Sequence, residues 1–334
     1  MNRTDPTMLA ATDERPLAQR PDVSNWSENY CLPAYDPACG FGVWLHVGLP
    51  VDDFDVWHDI TVVYLPGGRE VLVAQGFGQR GGTSDICGSM LRGDYDDATG
   101  EWVMRFRGAG QRWDPQALAT GPATGAAVEP LAFELRYHGL AEVWNLQRQV
   151  AGQTWGNAHW EQPCTVRGWV EVGTERTPFN GTGMRDHSRG ARDFSAMGQH
   201  YWLHGQMPSG RAFGVLHIDA TTTQPRVLST AYLVADGHLA EAEIVSLPGD
   251  RSFAAPFEVV VAGPDGEERI RGELVHDMAI TIRYPNEIRF GCRPGQPQHL
   301  VREGQVRWQW GDEVGYGIGE RSVTMAADGA PERR

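Results

Sequence analysis

The chain has 334 residues, which by length alone suits about two ordinary domains. Hydrophobic residues make up 41% and charged residues 22%, which excludes global disorder. All 29 basic residues are arginines, so a Schiff-base, phosphate-loop or kinase lysine is excluded, and a net charge of −14 argues against nucleic-acid or anionic-membrane partners.

Residues 1–24 are polar, are broken by Pro6, Pro16 and Pro21, and lack the apolar core of a signal peptide. A disordered lead-in is expected there. No apolar run approaches the ~20 residues of a spanning helix, so no membrane span is expected. Cys31, Cys39, Cys87, Cys164 and Cys292 are odd in number and include no Cys-x-x-Cys pair. Reduced thiols in a cytoplasmic protein are therefore expected.

The glycines and prolines are spread along the chain rather than gathered in one linker, as many short strands require. Gly76-Phe77-Gly78-Gln79-Arg80-Gly81 fits G-x-G-x-x-G, but no helical stripe follows it, so it reads as a glycine-rich β-turn. Trp102, Met104 and Phe106 alternate with polar or smaller residues, as do Phe133, Leu135 and Tyr137. The same holds for Met278, Ile280, Ile282 and Tyr284, and for Val306, Trp308 and Trp310. Each pattern predicts a strand with one buried face. Helical periodicity is weak; the best piece lies near Arg189–Ala196. The class is all-β, a sandwich or barrel, with a boundary near Gln162–Arg167.

The chemistry concentrates in His159-Trp160-Glu161-Gln162 and in Gly181–Asp193. Asp186 or Asp193 with His187 makes a carboxylate–imidazole pair able to move protons. Alternatively Arg185, Arg192 and the two aspartates lock a turn as an ion-pair staple. Downstream, His200, Trp202, His204 and Gln206 share one strand face by period two, and Met207–Arg211 is a hairpin turn. Phe213, Val215, His217 and Asp219 share a face of the return strand. If the two faces coincide, His200 lies across from His217 or Asp219 and the set lines a lumen. His200, His204 and His217 could hold a metal, but their spacing matches no familiar ligand set, so none is expected.

The Gly-x-Gly-x-x-Asp-His-x-x-Gly core from Gly181 to Gly190 resembles the signature of the tandem-lipocalin superfamily. That group includes carotenoid 1,2-hydratase, kievitone hydratase, fungal Diels–Alderase-type cyclases and AttH-like bacterial proteins. His159–Gln162 and the closing Glu303-Gly304 and Gly315–Glu320 are similar to its bacterial branch. The resemblance implies two antiparallel lipocalin-like barrels in tandem with few short helices. They would cover 25–163 and 164–325, ahead of a flexible tail at 326–334. It also implies an apolar cavity for an isoprenoid or polyketide-like ligand. In the hydratases the motif histidine, the tryptophan two residues on, and a downstream Tyr-x-Asp are functional. Here the histidine is His187 and the aspartate Asp219, while Arg189 stands at the tryptophan position and His217 at the tyrosine position.

A guanidinium repels a carbocation and suits an enolate, alkoxide or carboxylate. The expected function is therefore a cofactor-independent acid/base enzyme: a hydratase or dehydratase, an isomerase or a cyclase. Its substrate would be a hydrophobic terpenoid- or polyketide-like small molecule bearing a carbonyl or carboxylate. Asp186, His187, His217 and Asp219 would be catalytic. Arg189, His200, Trp202, His204 and Phe213 would bind substrate, and Arg185, Arg192 and Asp193 would form structural ion pairs. A carrier of a hydrophobic ligand and a pericyclase are the alternatives. A monomer or homodimer fits either.

Overall fold

The computed structural model describes residues 11–81, 85–121, 125–222 and 226–325. The expected tail at 326–334 and the first ten residues of the lead-in lie outside these. Among the described residues the regular secondary structure is almost entirely strand, with short helices such as α1 (Ala11–Glu14) and α2 (Gln147–Val150). No helix among the described residues is long and apolar enough to cross a membrane.

Two compact units emerge. The first takes in Met1–Trp113, Gly125–Ala151 and Gly156–Ala191; the second takes in Asp114–Thr124, Gly152–Trp155 and Arg192–Arg334. The division falls at Ala191/Arg192 rather than at 163/164. The physical reason is one long hairpin. Strands β7 (Ala158–Val172) and β8 (Glu175–Ala191) pair along their whole length, from Ala158↔Arg189 to Val172↔Glu175. Cutting between them would expose a continuous ladder of backbone groups.

The first unit contains β1 (Trp26–Cys31), β2 (Gly42–Gly48), β3 (Val56–Tyr64), β4 (Val71–Gln79), β5 (Glu101–Trp113) and β6 (Val128–Gly139), followed by β7 and β8. Each pairs with the next, and β8 pairs back with β1, so the ladder closes into a ring. The second unit repeats this with β9 (His200–Gln206), β10 (Ala212–Ile218), β11 (Leu228–Ala235), β12 (His238–Ser246), β13 (Phe257–Gly263), β14 (Gly266–Arg283), β15 (Gln298–Trp310) and β16 (Glu313–Met325). There β16 pairs back with β9. Closure protects most strand edges, although β4 and β5 pair only over Val71–Val73 and Gln111–Trp113.

The predicted alternations place side chains as expected in β6 and β15, and in β5 except that Val103 is buried as well. Trp102, Met104, Phe106, Phe133, Leu135 and Tyr137 are buried in the first core. Val306, Trp308 and Trp310 are buried in the second, where Phe213 meets Trp308 edge-on with ring centroids 5.0 Å apart. Burial stabilises by about 1.5–3 kcal/mol per large side chain, and such a ring pair adds roughly 0.5–1.5 kcal/mol. In β14 the expectation of one buried face fails, because Ala279 and Thr281 are buried along with Met278 and Ile280. A bulge between Leu274 and His276 shifts the register there. Gly76 and Gly78 lie within β4, and a Cβ on Gly78 would sit 2.4 Å from the backbone of Gly88. These glycines serve close backbone approach rather than a dinucleotide. The helical piece near Arg189–Ala196 is instead the end of β8 and a single 3-10 turn, Phe194–Ala196.

Residues 11–24 depart from the expected disordered lead-in. Glu14 is only 1% exposed, accepts a hydrogen bond from Trp102 Nε1 at 3.0 Å, and pairs with Arg185. The buried Arg185 guanidinium needs a counter-charge, and the lead-in supplies it.

Candidate functional site

Register decides which groups meet. On β8, Arg185, His187 and Arg189 alternate with Asp186 and Ser188. His187 stands between Tyr30 of β1 and Trp160 of β7, and Arg189 stands opposite Glu28. Asp186 stands between Cys31 and Glu161. Period two therefore sends Asp186 and His187 to opposite faces of the sheet. The expected Asp186–His187 pair does not form, and neither does Asp193–His187.

The carboxylate partner of His187 is Glu28, with Nε2 and Oε1 2.8 Å apart. Tyr30 stacks on the imidazole at 4.0 Å between centroids and 14° between planes. Trp160 closes another side at 5.2 Å. Arg189 is buried: its guanidinium lies 4.8 Å above the Trp160 ring and 3.8 Å from Glu28 Oε1. It also reaches Asp13 Oδ1 at 3.3 Å. Arg185 donates to Gln162 Oε1 at 2.5 Å and pairs with Glu14.

Between these groups lies a small void bounded by Glu14, Tyr30, Trp102, Trp160, Arg185 and His187, with about 10 Å³ open to the centre of a water molecule. That is room for one water, not for an isoprenoid. Three buried polar atoms around it lack a hydrogen-bond partner: His187 Nδ1, Arg185 Nη2 and Glu14 Oε1. Unpaired buried polar atoms are costly and uncommon in folded proteins. Here they surround one aromatic-walled space. If His187 donates its Nε2 proton to Glu28, Nδ1 keeps a free lone pair. A carboxylate that orients an imidazole this way prepares a general base.

The family follows from the sequence of this whole span. A family model described as a domain of unknown function (DUF7064) matches residues 11–323. The chain belongs to the DUF7064 family. No curated protein matches it. An AttH-like protein (NE1406) from Nitrosomonas europaea is similar over 97% of this chain and 98% of its own, at 12% identity and a TM-score of 0.62. CghA is similar over 97% of both chains, at 11% identity and a TM-score of 0.54, and a further CghA structure contains Sch210972. Kievitone hydratase from Nectria haematococca is similar over 94% of each chain, at 10% identity and a TM-score of 0.49. The likeness to the AttH-like protein and CghA is one of fold, and it agrees with the tandem lipocalin-like architecture.

The motif glycines of this DUF7064 chain have a packing role. Gly183 pairs with Ala34, and a Cβ on Gly181 would lie 2.1 Å from the Tyr35 carbonyl oxygen. The staple reading of the motif is revised. Arg185 pairs with Glu14 rather than an aspartate of its own segment. Arg192 donates to the Trp155 carbonyl at 3.0 Å, and Asp193 accepts from Ser195 N at 3.0 Å at the start of the 3-10 turn.

The other candidate residues belong to the second unit. The hairpin turn forms, with Met207 N–H donating to the Arg211 carbonyl at 2.7 Å. Its register pairs His200 with Ile218 and Tyr201 with His217, so the two polar faces do not coincide. Phe213 is core packing. His200, Trp202 and His204 occupy the face opposite Phe213 and His217, so the three histidines do not assemble as a metal set. His200 pairs with Glu320 and meets Ser322 Oγ at 2.7 Å. His204 is buried with neither ring nitrogen hydrogen-bonded, and burial pushes its imidazole down to about 3. His217 does reach Asp219, with Nε2 3.2 Å from Oδ1, and Arg251 holds the other Asp219 oxygen at 3.0 Å.

Sequence reasoning passed over Glu14, Glu28 and Tyr30. A signal existed for Glu28: it sits between Trp26 and Tyr30 on one period-two face, a lone charge among aromatics. Glu14 carried none.

Proposed function

We propose that this chain is an acid/base enzyme that needs no redox cofactor and acts on an apolar small molecule carrying a carbonyl or carboxylate. The reaction class is hydration or dehydration, with isomerisation as the same proton transfer without loss of water. The observation that carries this reading is the 2.8 Å His187–Glu28 pair, whose free Nδ1 shares an aromatic-walled void with Arg185.

In the dehydrating direction His187 Nδ1 takes the proton from the carbon α to the carbonyl. The C–H electron pair becomes an enolate, whose oxygen a guanidinium such as Arg185 stabilises. The C–O bond at the β carbon then breaks. The departing hydroxide takes the proton back from the imidazolium and leaves as water. Glu28 stabilises the imidazolium between these steps. Trp102, Trp160 and Tyr30 supply the apolar walls, and the void they bound, which has room for one water in this structure, has to widen before a substrate enters. A guanidinium over Trp160 favours this anionic course over a carbocation, because the aromatic face already carries a cation.

The test is incubation with apolar β-hydroxy carbonyl compounds and enones in deuterated water. Deuterium at the α carbon, lost in His187→Gln with the fold intact, is the expected result. A ligand that binds and returns unchanged would mark a carrier. A rearranged product without deuterium would mark a pericyclase.

A further inference from the structure

The first unit carries a second concave site, which shares no lining residue with the void beside His187. Beyond Val71–Val73 strand β4 leaves β5, and the short strand Leu91–Asp96 pairs with β5 from Leu91↔Phe106 to Asp96↔Glu101. Where that ladder ends, Met90, Arg107 and Trp169 border an open groove of about 390 Å³. Across four strands Arg92 stands opposite Arg105, Arg105 opposite Glu134, and Glu134 opposite Trp169. Arg107 follows on the same face as Arg105. All of these side chains line the groove. We propose that it binds a flat aromatic molecule bearing a carboxylate.

Charge selects the head group. The chain has a net charge of −14, yet the lining of this groove carries three guanidiniums and one carboxylate. Arg92 and Arg105 are direct cross-strand neighbours, a placement of like charges that destabilises a sheet. Asp94 and Glu134 neutralise Arg105. Arg92 donates to Cys87 Sγ at 2.7 Å, and among the described residues neither Arg92 nor Arg107 is in ion-pair contact with a carboxylate. The two are diagonal neighbours, about 7–8 Å apart at the backbone, a span that long side chains close. Planar guanidiniums suit both oxygens of one carboxylate.

The walls select the body of the ligand. Trp169 is half-buried, and the Arg176 guanidinium lies 3.8 Å from its ring centroid, which fixes the indole in place. Phe106 and Phe133 also border the groove, stacked on each other with centroids 5.5 Å apart and planes 20° apart. Met90 adds an adaptable thioether. A groove of this volume with aromatic sides and a few charged groups at one edge suits a drug-sized molecule. An inorganic anion would leave the aromatic sides unfilled. This site is independent of the His187 chemistry, and its failure would leave that reading untouched.

The full-length chain is titrated with pyrene-1-carboxylate and, separately, with uncharged 1-pyrenemethanol, each followed by pyrene fluorescence. One acid per chain is expected, bound at least about tenfold more tightly than the alcohol. Arg92→Gln with Arg107→Gln should remove that preference, and Trp169→Leu should weaken acid and alcohol alike by at least about threefold. His187→Gln should leave binding unchanged. In the wild-type chain, where no variant has to fold, bound acid should shield Arg107 from phenylglyoxal, read by peptide mass. No saturable binding, equal affinity for acid and alcohol, indifference to the arginine pair, loss of binding in His187→Gln, or an unshielded Arg107 would each overturn the site.

Discussion

His187 on β8 and Glu28 on β1 are 159 residues apart in the chain and 2.8 Å apart in space. Glu28 also accepts the Leu17 N–H at 3.0 Å and lies 3.8 Å from Arg189. One buried carboxylate therefore serves the imidazole, the guanidinium and the incoming lead-in. Glu28→Gln keeps the shape and removes the charge. Arg189 then keeps Asp13 but loses its buried counter-charge, and breaking a buried pair costs about 3–5 kcal/mol, so the unfolding free energy should fall by up to about that much. Urea unfolding followed by tryptophan fluorescence measures it. A loss under about 1 kcal/mol would mean that the pair contributes no more than a surface salt bridge.

Glu14 occupies Arg185 much as a substrate carboxylate would. It comes from α1 and reaches Arg185 across 171 residues of chain. Glu14→Ala frees that guanidinium and enlarges a void that now admits one water. A fluorescent fatty carboxylate should then bind at least about tenfold more tightly than to the parent chain, equivalent to about 1.4 kcal/mol. An uncharged alcohol of the same length should gain much less. Equal gains for acid and alcohol would show that removal of Glu14 creates space rather than an anion site.

Arg189 stands at the tryptophan position of the hydratase motif, and its orientation bears on the chemistry. It is buried over the face of Trp160. Arg189→Lys keeps the charge but loses the flat stacking surface, and should cost about 1 kcal/mol. Arg189→Met also removes the charge beside Glu28, and should cost about 2–3 kcal/mol. Denaturant titration of both variants checks the order. If both cost the same, stacking rather than charge holds Arg189 in place.

The all-β class and the buried faces of β5, β6 and β15 were legible because period two records a strand's buried side directly. Closure into rings was legible only through the family resemblance and not from local pattern, since pairings such as Glu28↔Arg189 join distant stretches with no local mark on either. Adjacency in the motif suggested that Asp186 and His187 act together, yet adjacency on a strand separates them. The hairpin at Met207–Arg211 was legible from its turn residues. Its register was not, and a shift of one residue placed His217 on the face away from His200. The carboxylate of Glu14 lay in a polar stretch whose composition predicts no structure.

By the resemblance Asp219 is the motif's downstream aspartate, with His217 where a tyrosine would stand; both belong to the second unit, whereas His187 belongs to the first. Asp219 is 35% exposed at its side chain and is held by Arg251. If the chemistry runs at His187, Asp219→Asn should lower turnover no more than about twofold, while His187→Gln abolishes it. Deuterium incorporation in the two variants provides the comparison. Loss of incorporation in Asp219→Asn with the fold intact would move the reaction to the second unit.

His204 carries the pH dependence. It is fully enclosed, neither ring nitrogen has a partner, and burial lowers its imidazole to about 3. In the unfolded chain a histidine titrates near 6.5. The unfolded state therefore takes up a proton first as pH falls, and folding loses stability from about pH 6.5 downward towards 3. The slope from this one group is about 1.4 kcal/mol per pH unit, or about 2 kcal/mol between pH 6.5 and 5. Above about pH 7.5 the imidazole is neutral in both states and contributes almost no slope. His204→Leu keeps a similar apolar volume and removes the proton site. Urea unfolding of both proteins at pH 7 and pH 5 should show the parent losing about 2 kcal/mol more than the variant. Parallel losses would mean that His204 becomes charged inside the fold and finds a partner when it does so.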